Sequence, residues 1–473
     1  AVNDQRCTPP LPWGTVEQKA TSATKYRPGK TGLIHFPPTD YGNAERLAER
    51  HGADIKYCDP LGGWLIWDGK VWTVDKTGEV VRRAVETVRA YHKEAASAFE
   101  QATDDEEKKR FLSMMKFAKQ SESRARIDAM LALAKAQPGI SISDEDVDQD
   151  IYLLNVENGT LDLRTGKLLP HRRENLITKI APVEYRPNAK APRWERFIHE
   201  IMNGDADMCG YLQRKIGYIL SGDTSEEDFD IFYGPGGRGK SKLLLAIRDL
   251  MGSYAQQAPA SLLMDKQHHG SGPTPEIARI KGARFVATVE TSDGRRIDEE
   301  LVKLLTGRDP IAARHLHKEM IEFIPQAKFI LATNYQPTVK ADDTGFWRRA
   351  KLIPFVADIK KKDKRLSEKL RAEMPGILNW ALEGFKMWQK EGLNPPAKIL
   401  AATEEYRGEM DILGAFLEEC CERKPGATVP VSTLYRAYER WCDNTGEKPM
   451  KQRMLTKRLK DRGYQQDRDT TGT

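Results

Sequence analysis

Apolar and polar positions change period several times along this chain, and the changes mark out its elements. Residues 1–40 are rich in Pro, Thr, Lys and Gly, show no period, and read as a flexible arm or linker. Tyr41 to Gly52 carries a short helical pattern. Trp64-Leu65-Ile66-Trp67 and Lys70-Val71-Trp72-Thr73-Val74 flank Asp68-Gly69, which predicts a hairpin closed by a two-residue type I′ turn. Val80 to about Lys135 reads as helical, with a charged break at Asp104-Asp105-Glu106-Glu107. A second β element follows: Ile151 to Leu154, a turn at Glu157-Asn158-Gly159, Thr160 to Leu163, a turn at Thr165-Gly166, then Lys167-Leu168-Leu169. Together these predict an α+β N-terminal domain over residues 41–200, a candidate oligomerisation collar.

Trp194 to Leu220 reads as helices leading into an α/β core over residues 201–395. Within it Phe229 to Tyr233, Ala283 to Glu290 and Lys328 to Thr333 are continuous apolar runs of the kind that fill buried strands. Helical pattern returns from Leu366 to Trp388, interrupted at Pro375-Gly376, and Pro395-Pro396 marks a boundary. Residues 396–473 hold three helical stretches, Ile412 to Cys421, Val431 to Trp441 and Gln452 to Arg462, before a Gly463-Tyr464 turn. That suits a small helix-turn-helix or winged-helix-like module whose wing falls in the last ten residues.

A chain of 473 residues should hold two to four domains. Lys and Arg total 75 against 69 Asp and Glu, a net of +6, which permits nucleic-acid binding without demanding it. No apolar run approaches the roughly 20 residues that span a bilayer, and the polar N-terminus lacks a signal peptide's apolar core, so no membrane partner and a cytoplasmic site are expected. Six scattered cysteines without a C-x-x-C pair argue against zinc and for a reducing compartment. Asp146-Val147-Asp148 is formally a D-x-D, a pair that primases use for metals. It lies in a charge-rich stretch and reads as a solvated loop, and no complete primase domain finds room.

The chemistry gathers around one run. Gly234, Pro235, Gly236, Gly237, Arg238, Gly239, Lys240 and Ser241 satisfy G-x-x-x-x-G-K-[ST], between an apparent strand and an apparent helix. In that context the glycines let backbone N–H groups face phosphates, the helix N-terminus adds positive charge, Lys240 reaches the phosphates and Ser241 ligates Mg²⁺. Glu290 ends an apolar run about 50 residues on. It reads as a metal-holding or water-polarising acid, or as an edge-strand Glu. Asn334, ending another run, would orient water or merely cap a turn. Arg348 and Arg349 carry permanent charge and a planar donor fork suited to a neighbour's γ-phosphate, or else pack on Trp347. Two short runs, Pro310 to Leu316 and Glu319 to Ile324, predict a hairpin with His317-Lys318 at its turn. It is a candidate for contacting strand phosphates, or a plain surface hairpin.

Taken in order and spacing, the loop, Glu290, Lys303 to Asp309, Ala313-Arg314, Asn334 with Pro337, Trp347-Arg348-Arg349 and Ile353-Pro354-Phe355 resemble the superfamily 3 helicases. The branch is that of phage, plasmid and poxvirus primase–helicases. Leu154-Asn155, Asn158-Gly159 and Leu161-Asp162-Leu163 resemble the domain preceding the helicase there, and Gly376 to Trp380 its post-core helix. The resemblance implies an AAA+-like ATPase ring, usually hexameric, that moves along single-stranded DNA, typically 3′ to 5′, and separates forks with ATP and Mg²⁺. It implies Lys240 and Ser241 as phosphate and metal contacts, Glu290 as first Walker B acid and metal site, Asn334 as sensor, Arg348 or Arg349 as the finger supplied in trans, and Arg314, His317 and Lys318 as the DNA-contacting hairpin. At the positions where the family often has a second acid stand Thr291 and Ser292, so either Glu290 acts alone or Asp293 takes that role. The expected activity is a replicative DNA helicase of a phage or mobile element, with a primase or polymerase as candidate partner. A protein-remodelling P-loop ATPase and an origin-binding or loader protein are the alternatives.

Overall fold

The structure is a computed structural model that describes residues 32–265, 275–290, 295–314, 320–340, 343–359, 363–424, 426–447 and 449–466. Two compact units are present: residues up to 149 with 171–178, and residues 150–170 with 179 onward.

In the first unit, α1 (Asp40–His51) precedes an antiparallel sheet of β1 (Ile55–Cys58), β2 (Gly63–Trp67) and β3 (Trp72–Val74). Three helices follow, α2 (Glu79–Gln101), α3 (Asp105–Ser121) and α4 (Arg124–Ala134). Leu47, Ala84, Val88, Tyr91, Met114, Ile127 and Met130 form their shared core. The charged break at Asp104 proves to be a helix start: its carboxylate accepts from Glu107 N, and the acids of the first turn face the positive end of α3. The turn between β2 and β3 departs from the expected type I′ geometry. Trp67 pairs with Trp72, leaving Asp68 to Val71 between the strands. Asp68 Oδ1 accepts from Lys70 N and Val71 N, both at 2.8 Å, and this local bonding opens the turn. In the D-x-D stretch Asp146 accepts from Ser143 N at 2.7 Å and Asp148 from Thr178 N at 2.8 Å, so both carboxylates hold backbone.

The second unit begins with the meander β4 (Leu153–Val156), β5 (Gly159–Asp162) and β6 (Lys167–Leu169). Leu154, Val156, Leu161 and Leu163 bury in the same core as Trp194, Tyr211 and Phe232. That shared burial places the meander in the second compact unit. Next come α5 (Pro192–Ile201), α6 (Ala206–Ile219), β7 (Phe229–Tyr233), α7 (Lys240–Met251), β8 (Ala255–Gln257), the single turn α8 (Pro275–Ala278), β9 (Phe285–Glu290) and α9 (Glu299–Thr306). The hairpin β10 (Ile311–Arg314) and β11 (Met320–Phe323) precedes β12 (Lys328–Thr333), α10 (Thr344–Arg349) and β13 (Ala350–Pro354). The chain continues as α11 (Leu366–Ala372), α12 (Met374–Glu391), α13 (Ala397–Glu409), α14 (Ile412–Cys420), α15 (Val431–Thr445) and α16 (Gln452–Asp461).

The central sheet is parallel, in the order β13-β7-β12-β9-β8. Alternate residues feed opposite faces: Phe232, Ile330 and Ile353 join one core, while Phe229, Ile231, Phe329, Leu331 and Leu352 join another. Burial on both faces explains the unbroken apolar runs. Helix α13 belongs to this layer, because Leu352 N donates to Thr403 Oγ1 at 3.0 Å and Tyr406 packs edge-on against Trp347. Beyond it, α14, α15 and α16 hold a core of their own. Among the described residues no strand follows α16.

Three charges lie under the sheet's N-terminal edge. Lys215, its side chain 1% exposed, sits between Asp228 and Asp230, with Nζ 2.6 Å from Asp230 Oδ2, and Tyr211 donates to Asp230 Oδ1 at 3.0 Å. Burial opposes charge on Lys215, but the two carboxylates outweigh it and raise its pKa; burial pushes Asp230 up to about 6 against the pull of Lys215. Replacing Lys215 by Ala strands two buried acids. The expected cost is about 3–5 kcal/mol, read as a lowered denaturant midpoint with an unchanged slope. An unmoved midpoint would mean the charges do not depend on one another.

Candidate functional site

Backbone register assembles the site. Tyr233 pairs with Thr333, and Thr333 with Glu290. The glycine loop after Tyr233, Asn334 after Thr333, and Glu290 therefore emerge side by side at the carboxyl edge of the sheet, where open α/β sheets bind ligands.

The loop is held in a shape only glycine tolerates at two positions. Gly234 has φ +142°, and a Cβ there would lie 2.3 Å from Phe355 O; Gly239 has φ +95°, with a Cβ 2.4 Å from Ile201 Cγ2. Gly239 is also the N-cap of α7 and supplies no side-chain cap, so the first N–H groups of a twelve-residue helix face the loop. Lys240 opens that helix. Its ammonium is buried and donates to Gly234 O, to Pro235 O at 3.1 Å and to Asn334 Oδ1 at 3.1 Å. Burial lowers its pKa. These partners are neutral oxygens; a bound anion would offer the charge they lack.

A cavity of about 380 Å³ opens here. Gly236 to Lys242 form one wall, Val289, Glu290, Ala332 and Asn334 the floor, and Arg193, Phe197, Ile359 and Leu366 the far side. Glu290 is buried, with Oε2 3.8 Å from Arg295 Nε. Ser241 is exposed to the cavity. Among the described residues no cluster of three or more His, Cys, Asp or Glu could hold a metal alone. The oxygens of Ser241 and Glu290 are the donors that fit Mg²⁺ shared with a phosphate ligand.

Arg193 escaped the sequence reading. It sits at the start of α5, whose N-terminus is capped from afar: Glu373 accepts from Arg193 N and Trp194 N at 3.0 Å. Its guanidinium reaches Glu200 at 3.2 Å and Asp363 at 3.7 Å, leaving Nη1 buried without a partner. Arg238 is likewise committed, donating to Ala357 O at 2.9 Å and pairing with Asp358.

The other candidates lie elsewhere. Ala350 pairs with Phe229 and Pro354 with Tyr233, so Arg348 and Arg349 sit at the opposite end of β7 from the loop, about 13 Å away along the strand. Both pair with Glu227 Oε2, at 2.8 and 2.7 Å. Arg314 ends β10 opposite Met320, exposed on the hairpin. Asp293, His317 and Lys318 lie outside the described residues.

Residues 44–203 match the family model described as D5 N terminal like. Residues 408–465 match Poxvirus D5 protein-like, and residues 232–349 match a family of unknown function. The chain is 31% identical over 331 residues to a putative helicase of Acanthamoeba polyphaga mimivirus, covering 64% of this chain and 34% of that protein. It is 23% identical over 325 residues to a putative primase of African swine fever virus, covering 62% and 34%. The match thus spans about a third of the length of these viral relatives. Among solved structures, the NrS-1 C-terminal region is similar over 50% of this chain and 56% of that one, at 15% identity and a TM-score of 0.37, too loose to carry an argument. No described helix is long and apolar enough to cross a membrane.

The loop's shape yields a direct test. Gly234→Ala forces a Cβ against a backbone carbonyl at positive φ. It should cost about 1–3 kcal/mol, seen as a lowered melting temperature, whereas Gly236→Ala, with open space around it, should melt like the parent.

Proposed function

We propose that the cavity is a P-loop that binds and hydrolyses ATP with Mg²⁺, and that the chain is the ATPase of a viral or mobile-element primase–helicase, working as a ring on single-stranded DNA. The observation that supports this most is the shared strand edge: one register places the loop, an acid and an amide around a buried ammonium. The similarity to viral proteins named as helicase and primase points the same way.

Each residue has a role in that reading. The loop's N–H groups and the α7 N-terminus hold the phosphates. Lys240 exchanges its carbonyl partners for phosphate oxygens, which frees Asn334 to orient water. Glu290 takes the proton from that water. Ser241 and Glu290 would hold Mg²⁺, which supplies charge neutralisation on the phosphates. Arg193 lines the same cavity and adds positive charge to it.

The cavity lacks an arginine from α10, and a second copy would supply it. The two candidates differ physically. Arg349 is 13% exposed and also donates to Gly345 O at 3.0 Å, whereas Arg348 is 69% exposed and, among the described residues, its guanidinium is held by Glu227 alone. Arg348 is therefore the residue able to reach a neighbour, and Arg349 anchors the helix. The β10–β11 hairpin with Arg314, His317 and Lys318 is the DNA-facing element in this scheme.

ATP hydrolysis and strand displacement on 3′- and 5′-tailed forks, run beside gel filtration, test the reading. Lys240→Ala should abolish both activities. Arg348→Ala should keep ATP binding and lose about 10³–10⁵ in turnover, restored in part by mixing with Lys240→Ala protein, since each variant spoils a different half of a seam. Near-normal turnover in Arg348→Ala would remove it from the site. Lys318→Ala should keep basal hydrolysis and lose unwinding. Hydrolysis indifferent to single-stranded DNA would instead mark an ATPase acting on protein.

A further inference from the structure

The backbone of α10 is held at both ends. Asp343 accepts from Phe346 N at 3.0 Å and is itself gripped by Lys303 Nζ at 2.8 Å. At the other end Lys351 Nζ donates to Arg348 O at 2.8 Å, and between them Trp347 Nε1 donates to Lys340 O at 2.9 Å. With the helix so fixed, the freedom of Arg348 lies in its exposed side chain. A long side chain on a rigid stem has many rotamers open to it, so its partner decides where the guanidinium rests.

That partner is Glu227. β13 and β7 pair in parallel with Ala350 beside Phe229, so the residues just ahead of each strand meet. Glu227 Oε2 accepts from Nη2 of Arg348 at 2.8 Å and from Nη2 of Arg349 at 2.7 Å. Arg349 is anchored a second time, to Gly345 O at 3.0 Å, and so steadies the carboxylate for Arg348. Among the described residues Arg348 Nε and Nη1 have no partner. Four acids lie between 226 and 230. The other three are committed elsewhere: Glu226 accepts from Trp388 Nε1 at 2.7 Å, and Asp228 and Asp230 bracket Lys215. Glu227 also adopts φ +48°, a left-handed conformation that glycine would take without strain. A glutamate at such a position points to a use for its carboxylate.

We propose that Glu227 is the positioning residue for Arg348. It takes one corner of the guanidinium and leaves Nε and Nη1 as donors for the γ-phosphate bound by a neighbouring copy. The inference rests on the reading of Arg348 as the arginine supplied in trans. Glu227 touches no nucleotide; it acts through the arginine, on a site in the next subunit.

The test compares Glu227→Gly and Glu227→Gln in the full chain, with Arg348→Ala beside them and melting curves to verify folding. Glycine removes the carboxylate and suits the backbone; glutamine keeps a neutral acceptor. At saturating ATP, kcat should fall by up to about 10²-fold in Glu227→Gly, the scale of a misplaced group, and by less in Glu227→Gln. KM for ATP should not move, because each variant's own loop is intact. Mixing Glu227→Gly with Lys240→Ala protein should raise turnover, since the Lys240→Ala copy brings an intact Glu227–Arg348 pair to the other's intact loop. In the Arg348→Ala background, Glu227→Gly should cost nothing more. Near-normal turnover in Arg348→Ala overturns the trans-arginine reading and this inference with it. Loss in Arg348→Ala with parental or raised turnover in Glu227→Gly overturns the inference alone, a rise marking the carboxylate as a competitor for the arginine. A second, equal loss in the double variant also overturns it, by giving Glu227 a task apart from Arg348.

Discussion

The pairing of β12 between β7 and β9 is the constraint on which the site depends. The loop, Asn334 and Glu290 come from three strands far apart in the chain, and only the parallel register brings their ends level. That register is well specified because both faces of these strands are buried. A slip of one residue would send Phe329 and Leu331 to the face built for Ile330 and Ala332. Packing on two sides thus fixes chemistry at one edge. The same sheet separates two groups of residues along its strands: the carboxyl edge holds the cavity, and the amino edge holds Glu227 with the two arginines.

How much of this could be read from residues alone follows the range of the interactions. The glycine loop is legible because its demands are local: Gly234 and Gly239 need positive φ, Lys240 starts a helix, and an apolar strand precedes them. The tips at Glu290 and Asn334 are legible as ends of apolar runs. Arg193 is not, because Glu373, which fixes its backbone, lies 180 positions away, and no periodicity reports such a contact. The packing of the β4–β6 meander into the second compact unit was hidden for the same reason. The meander from Leu153 to Leu169 has the look of the N-terminal domain, and only its burial with Trp194 and Phe232 reveals its allegiance. The Asp68 turn failed on chemistry at short range: a carboxylate with two N–H groups in reach outweighs the Asp-Gly preference.

Three buried lysines show why the cavity, and not burial itself, marks the site. Lys215 lies between two carboxylates, so its charge is compensated inside the fold and its pKa rises. Lys328 has neutral partners, Ser221 O at 2.5 Å and the Tyr218 ring at 4.6 Å, and burial holds its pKa well below the usual range. It ties β12 to the turn at Ser221. Lys240 combines the second environment with an opening: neutral oxygens around the ammonium, a lowered pKa, and about 380 Å³ of space beside it. Desolvating a cation without a counter-charge costs free energy in the folded chain. A phosphate entering the cavity would return that cost as binding, because the ammonium would gain an anionic partner without being desolvated again. Lys215, already paired with two carboxylates, has no such reserve to give. An anion at the loop would therefore draw on desolvation already present at Lys240, which the hydrogen bond to Asn334 helps hold in place.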